Sequence, residues 1–127
     1  MLAAIKAKLA AQRGADAESR AEKHLTQQGL KPLHRNWRCT LGELDLVMAD
    51  GDTLVIVEVR ARSHSSHGGA LESVDARKRG KLIRSALAYV HAHAEWQDAA
   101  IRFDVVCFEA DGKNRWLRNA FDADDVA

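Results

Sequence analysis

Glu58 interrupts the run Leu54-Val55-Ile56-Val57-Glu58-Val59, where every neighbour favours a dry interior and an unpaired carboxylate is costly to bury. Strand alternation puts Leu54, Ile56, Glu58 and Arg60 on one face and Val55, Val57 and Val59 on the other. A second apolar, β-branched run, Glu43 to Ala49, precedes it across Asp50-Gly51-Asp52, a strong hairpin signal. With Gly51-Asp52 as the turn, Asp45 lies directly opposite Glu58; with Asp50-Gly51 the pair becomes diagonal. Either register keeps both carboxylates on one face. Such a pair, roughly 5–8 Å apart on a partly buried face, repels itself, and an oxygen-seeking divalent cation, Mg²⁺ or Mn²⁺, is the usual way to hold both as anions. The ion would polarise a phosphodiester and acidify a bound water, while the cation at Arg60 steadies the transition state. The chemistry indicated is phosphodiester hydrolysis. The competing arrangement is a structural ion pair of Glu58 with Arg60 or Arg102.

The chain around these residues reads as one α/β domain. Leu2, Ile5 and Leu9 have helical spacing, and after Gly14 a second helical stretch runs from about Asp16 to Gln28, so the two form either one kinked helix or a pair. Ala17, Ala21 and Leu25 would face inward, with Glu18 and Glu22 beside that stripe. Residues 33–39 suggest a strand, followed by the hairpin strands 43–49 and 53–61. The segment 62–70 has no core-forming periodicity and is expected to be a mobile loop. Ser73 or Asp75 can cap a helix carrying Leu82, Ile83, Ala86, Leu87 and Val90 and ending near Ala94. Residues 101–108 read as a fourth strand, with a short strand around Arg115 to Leu117 after the turn at Asp111-Gly112. Three strands followed by a helical crossover to a fourth imply a mixed sheet with helices on its faces. The division expected is a helical extension at 1–13, a domain at 14–120 and an acidic tail at 121–127.

At 127 residues, with 46% hydrophobic and 29% charged residues, the chain is sized for one domain. No apolar run approaches the roughly 20 residues of a membrane helix, and Lys6 and Lys8 break the N-terminal stretch before a signal-peptide core forms, so a cytoplasmic location is expected. Cys39 and Cys107 lack partners at metal-ligand spacing and are expected to be core thiols. Net charge is only +1, but its distribution is uneven: between positions 60 and 84 lie Arg60, Arg62, Arg77, Lys78, Arg79, Lys81 and Arg84 against Glu72 and Asp75. This is either a solvated helix face or a phosphate-binding surface.

Gly42-Glu43-Leu44-Asp45-Leu46, Val57-Glu58-Val59-Arg60-Ala61-Arg62 and Arg102-Phe103-Asp104-Val105-Val106 resemble the signature blocks of the bacterial YraN family. Asn36-Trp37-Arg38, Lys78, Ala86 and Tyr89 also match its pattern, and the resemblance spans about residues 14–108. That family is similar to the PD-(D/E)XK nuclease superfamily and its archaeal Holliday-junction resolvases. The resemblance implies a restriction-endonuclease-like sandwich, with Asp45 and Glu58 as metal-binding acids and Glu18 as the helix carboxylate completing the site. Arg60 stands where the superfamily has lysine. A lysine holds an attacking water as a compact donor, whereas a guanidinium is broader and suited to clamping phosphate. Lys78 is then a candidate phosphate contact, unless it is simply a solvent-facing helix residue.

The expected function is Mg²⁺-dependent hydrolysis of DNA, branched or processed, rather than RNA. Its backbone would be gripped by Arg62, Arg77, Lys78, Arg79 and Lys81, with Arg38 and Arg35 within reach from a strand. A two-fold dimer would suit a resolvase-like role. Two alternatives are an inactive nucleic-acid-binding protein of the same fold and an interaction module in a larger assembly. His64 and His67 are expected to be solvated, Trp37 to be core, and Arg102 with Asp104 to form a structural pair bordering the site. Leu2, Ile5 and Leu9 are expected to pack on the domain or on a second subunit.

Overall fold

The computed structural model describes residues 2–61, 74–109 and 111–123. Helix α1 spans Leu2–Gln27 and is followed by strands β1 (Lys31–Cys39), β2 (Gly42–Asp50) and β3 (Thr53–Ala61). Helix α2 (Ala76–Ala92) and a single 3-10 turn (Ala94–Trp96) lead to β4 (Ile101–Phe108) and β5 (Asn114–Phe121). The sheet runs β1-β2-β3-β4-β5, antiparallel except for the parallel pair β3/β4 that α2 joins. A parallel pair needs such a crossover, and one helix thereby covers each face. The result is a mixed α/β sandwich of the expected class, compatible with the restriction-endonuclease-like architecture.

The buried stripe of α1, Ala17, Ala21 and Leu25, packs on Leu46, Met48, Val55, Val57 and Val106. On the other face Leu82, Ile83, Ala86 and Tyr89 of α2 pack on Leu44, Val47, Leu54, Ile56, Phe103 and Val105. The parity of β3 is as read from sequence: Ile56 looks to α2 and Val57 to α1. The hairpin turn is Gly51-Asp52, with Asp50 paired to Thr53 and Gly51 at φ 60° in the left-handed region that glycine adopts without strain. Asp75 is the α2 cap, its carboxylate accepting the Lys78 N–H at 2.9 Å.

Four expectations change. The N-terminal helix is continuous through Gly14, and Leu2 and Ile5, 74% and 49% exposed, do not pack on the domain, which leaves the second-subunit alternative for them; the Leu9 side chain lies outside the described residues. Cys107 is core, whereas Cys39 is only half-buried at the end of β1. The fifth strand is eight residues long because it pairs along β4 from Phe108 back to Phe103. Trp37 lies at the core margin, edge-on to Tyr89 at 5.2 Å. The loop 62–70 with Arg62, His64 and His67, and the alternative cap Ser73, lie outside the described residues. No described helix is long and apolar enough to cross a membrane.

Asp104, buried on β4, ties the β4/β5 edge together. It accepts Arg102 Nε at 2.9 Å and Nη2 at 3.0 Å, Trp116 Nε1 at 2.9 Å and the Asn119 backbone N–H at 2.9 Å. Asn119 reaches it from φ 50°, a conformation asparagine tolerates better than most residues. Arg102 also donates to Asp50 at 2.8 Å, so the pair is structural, as its spacing on one strand face suggested. Asp104→Ala would leave a guanidinium and two N–H donors without their acceptor. The expected loss is about 3–5 kcal/mol, read as a lower urea midpoint at unchanged slope, and a loss below about 1 kcal/mol would contradict this assignment.

Candidate functional site

Asp45 sits where β2 and β3 part. The ladder between them ends at Leu46↔Val57, so Asp45 does not pair across to Glu58 as strict register demands. Leu44 turns to the α2 face and Leu46 to the α1 face, which breaks the alternation at Asp45. Its Oδ2 instead accepts the Val59 backbone N–H at 2.9 Å, one residue beyond Glu58. A side chain here replaces the ladder carbonyl, and Asp45 lies between the two faces of the sheet.

From this position it meets two other carboxylates. Glu58, 4% exposed, is hydrogen-bonded to Asp45 and has its pKa pushed up to about 7, first by burial and then by the Asp45 charge. Lys78 Nζ at 3.4 Å and Arg60 Nε at 3.5 Å from Glu58 Oε1 oppose that rise. Glu18 of α1 is also raised to about 7, by burial and then by Asp45, with Glu43 adding and an Asn36 hydrogen bond subtracting. One carboxylate oxygen each from Glu18, Glu43 and Asp45 lies within 4.8 Å of the others. Glu58 Oε2 and Glu18 Oε2 are buried and lack a hydrogen-bond partner among the described residues.

Each acid is delivered by a different local device. Helical spacing places Glu18 one position past the buried Ala17. Asn36, at φ 54° on β1, adopts a turn-like conformation inside a strand and holds Glu18. The α2 crossover, capped by Asp75, brings Lys78 in its first turn over Glu58. No acidic residue occupies that first turn, which carries Arg77 and Lys78 against the positive end of the helix dipole.

The sequence-derived site residues therefore separate into groups. Asp45, Glu58, Arg60 and Lys78 converge, and Glu18 approaches Asp45 from the α1 face. Arg77 and Lys81 are exposed on α2. Arg79 is structural: its Nε donates to Val74 O at 2.8 Å and its guanidinium lies 5.4 Å from the Phe121 ring centroid. Arg38, largely exposed, lies 3.3 Å from Glu43, and Arg35 pairs with Glu22 at 2.7 Å. Glu58 pairs with Arg60, as one competing arrangement had it, and with Lys78, while Arg102 binds elsewhere. Glu43 and Asn36 were missed. Glu43 was legible from its alternate spacing with Asp45 on β2; Asn36 had no signal beyond its place in a family motif.

The fold and site together define an α/β sandwich with an acidic centre built at a fork between two central strands. Comparison with known sequences places that description in a family: the one described as "Uncharacterised protein family UPF0102" matches residues 17–108. A UPF0102 protein of Ectopseudomonas mendocina is 54% identical over 112 residues, covering 87% of this chain and 94% of the relative. UPF0102 proteins of Stutzerimonas stutzeri and Pseudomonas aeruginosa are each 53% identical, over 113 and 116 residues, with 87% of this chain covered in both cases and 94% and 93% of the relatives. The chain belongs to the UPF0102 family, consistent with its YraN-family resemblance.

Glu18 and Glu58 hold protons to about pH 7 when folded against an ordinary 4.5, so the folded chain binds more protons than the unfolded one between those values. Without divalent ions, stability is expected to fall as pH rises through that window and to level off above it. Asp45→Asn keeps an oxygen for the Val59 N–H but removes the repelling charge, so it should flatten the decline. Urea midpoints measured from pH 5 to 8 in EDTA check this; parallel profiles for the two proteins would refute the coupling.

Proposed function

We propose that the chain is a divalent-metal-dependent phosphodiester hydrolase acting on nucleic acid, DNA rather than RNA, in the cytoplasm. The observation that carries this reading is the convergence on Asp45 of Glu18, Glu43 and Glu58, with two cations within 3.5 Å of Glu58 Oε1. The donor set suits Mg²⁺ or Mn²⁺: all candidate ligands are carboxylates, and among the described residues one oxygen each of Glu18 and Glu58 is buried without a hydrogen-bond partner. Glu18, Glu43 and Asp45, whose oxygens lie within 4.8 Å of one another, would hold the ion, with Glu58 beside Asp45 able to join them. When bound, it supplies polarisation of the phosphodiester and acidification of a water.

The remaining work belongs to the side chains. Arg60 presents a broad, always-charged guanidinium suited to clamping the phosphate. Lys78, in the first turn of α2, provides the compact ammonium that position 60 lacks, held 3.4 Å from Glu58. Arg60 and Lys78, both beside Glu58 Oε1, are placed to stabilise charge on the phosphate. Arg77 and Lys81 on exposed α2 would contact the backbone, which favours structure-dependent over sequence-dependent binding.

A non-hydrolytic nucleic-acid binder of the same fold is the second reading, favoured by arginine at position 60. Incubation with duplex, single-stranded, flap and four-way-junction DNA, with and without Mg²⁺ or Mn²⁺, separates the two. Cleavage is expected only with metal, with at least a hundredfold loss in Asp45→Asn and Glu58→Gln (about 3 kcal/mol of barrier) and at least a tenfold loss in Lys78→Ala. Cleavage that survives both acid substitutions would refute the active-site assignment. Salt-sensitive binding with no cleavage of any substrate would establish the second reading.

A further inference from the structure

Helix α1 has two chemically different flanks. At about 3.6 residues per turn, Glu18 and Glu22 fall on one side of the buried Ala17, Ala21 and Leu25 stripe, and Arg20, Lys23, His24 and Gln27 on the other. The acidic flank faces β1 and β2, where Glu22 pairs with Arg35 and Glu18 approaches Asp45. The other faces β4 and β5. There the Arg20 guanidinium lies over the Phe108 ring, with Cζ 4.4 Å from its centroid, and His24 meets Trp116 edge-on at 6.3 Å.

Between this flank and the β4/β5 edge opens a pocket of about 260 Å³ lined by Arg20, Lys23, His24, Gln27, Phe108 and Asn114. None of the six is acidic, and among the described residues neither Arg20 nor Lys23 has a carboxylate within ion-pair distance. Farther along β5, Arg118 lies over the Trp116 ring at 4.8 Å, continuing the alternation of guanidinium and aromatic groups.

We propose that this groove between α1 and β5 binds an unpaired segment of nucleic acid. Arg20 and Lys23 meet the phosphate; the Arg20 guanidinium, backed by Phe108, offers a flat cationic surface to a base. The amides of Gln27 and Asn114 each carry a donor and an acceptor for a base edge. A duplex turns its phosphates outward and stacks its bases inside, so it could use the cations but neither the planar nor the amide groups; an exposed base uses all three. The inference rests on the nucleic-acid reading above but not on hydrolysis. A strand bent across α1, a body about 10–12 Å thick, would engage both the acidic centre and the groove.

Fluorescence anisotropy of the full chain with a labelled oligothymidylate and with a matched duplex, both in EDTA so that cleavage plays no part, tests the assignment. Lys23→Glu is expected to weaken oligothymidylate binding about tenfold and duplex binding by clearly less, and Lys81→Glu on exposed α2 to weaken the duplex more than the oligothymidylate. Gln27→Ala with Asn114→Ala should weaken single-strand binding without changing its salt dependence, because no charge is removed. Melting curves matching the parent show that these surface variants fold. The proposal is overturned if Lys23→Glu leaves oligothymidylate affinity intact, if it weakens both ligands equally, or if inorganic polyphosphate at equal charge competes as well as the oligonucleotide. Cleavage assays on Asp45→Asn address a different site, so hydrolysis and groove binding can fail separately.

Discussion

The Asp45 carboxylate, accepting the Val59 N–H where β2 and β3 separate, is the constraint on which the rest of the site depends. A continuous ladder would give that N–H a backbone carbonyl and point residue 45 squarely at one face. Because the ladder stops at Leu46↔Val57, the side chain fills the gap and touches both sides of the sheet. A helix on either face can then contribute to one centre: α1 brings Glu18 to Asp45, and α2 brings Lys78 to the Glu58 that Asp45 contacts.

The arrangement is electrostatically unfavourable without a counterion. Four carboxylates gather at one end of the sheet; two, Glu18 and Glu58, have pKa values raised to about 7 and each a buried oxygen without a partner among the described residues. Fully buried networks elsewhere look different: Asp104 has a donor for each available direction and ties two strands together. One acid cluster has its hydrogen bonds met and is structural; the other, among the described residues, does not. Buried carboxylates that folding leaves unsatisfied are the usual mark of a functional site.

Much of this was legible in sequence because it followed from short-range periodicity. The hairpin, with Gly51-Asp52 as one of its two candidate turns, the parity of β3 that isolates Glu58, and Asp75 as one of two candidate caps all followed from neighbours a few residues apart. The fork at Asp45 was not, because nothing in the pattern of β2 announces that pairing will stop at Leu46↔Val57. Arg79 looked like part of a basic patch, yet its partners Val74 and Phe121 lie on different segments that only the fold brings together. Gly14 suggested a break in the first helix, but an exposed glycine costs only about 1 kcal/mol in a helix, too little to end one. The polar flank of α1 carried no recognised motif, and its pairing with Phe108 and Asn114 could be seen only once β4 and β5 were beside it.

Anomalous diffraction from crystals of the protein grown with Mn²⁺ tests the central claim most directly. The account predicts an anomalous peak at the fork, bonded to an oxygen of Asp45 and to at least one of Glu18 and Glu58. Fully occupied Mn²⁺ on other carboxylates, with Asp45 still bonded only to Val59 and its acidic neighbours, would contradict it.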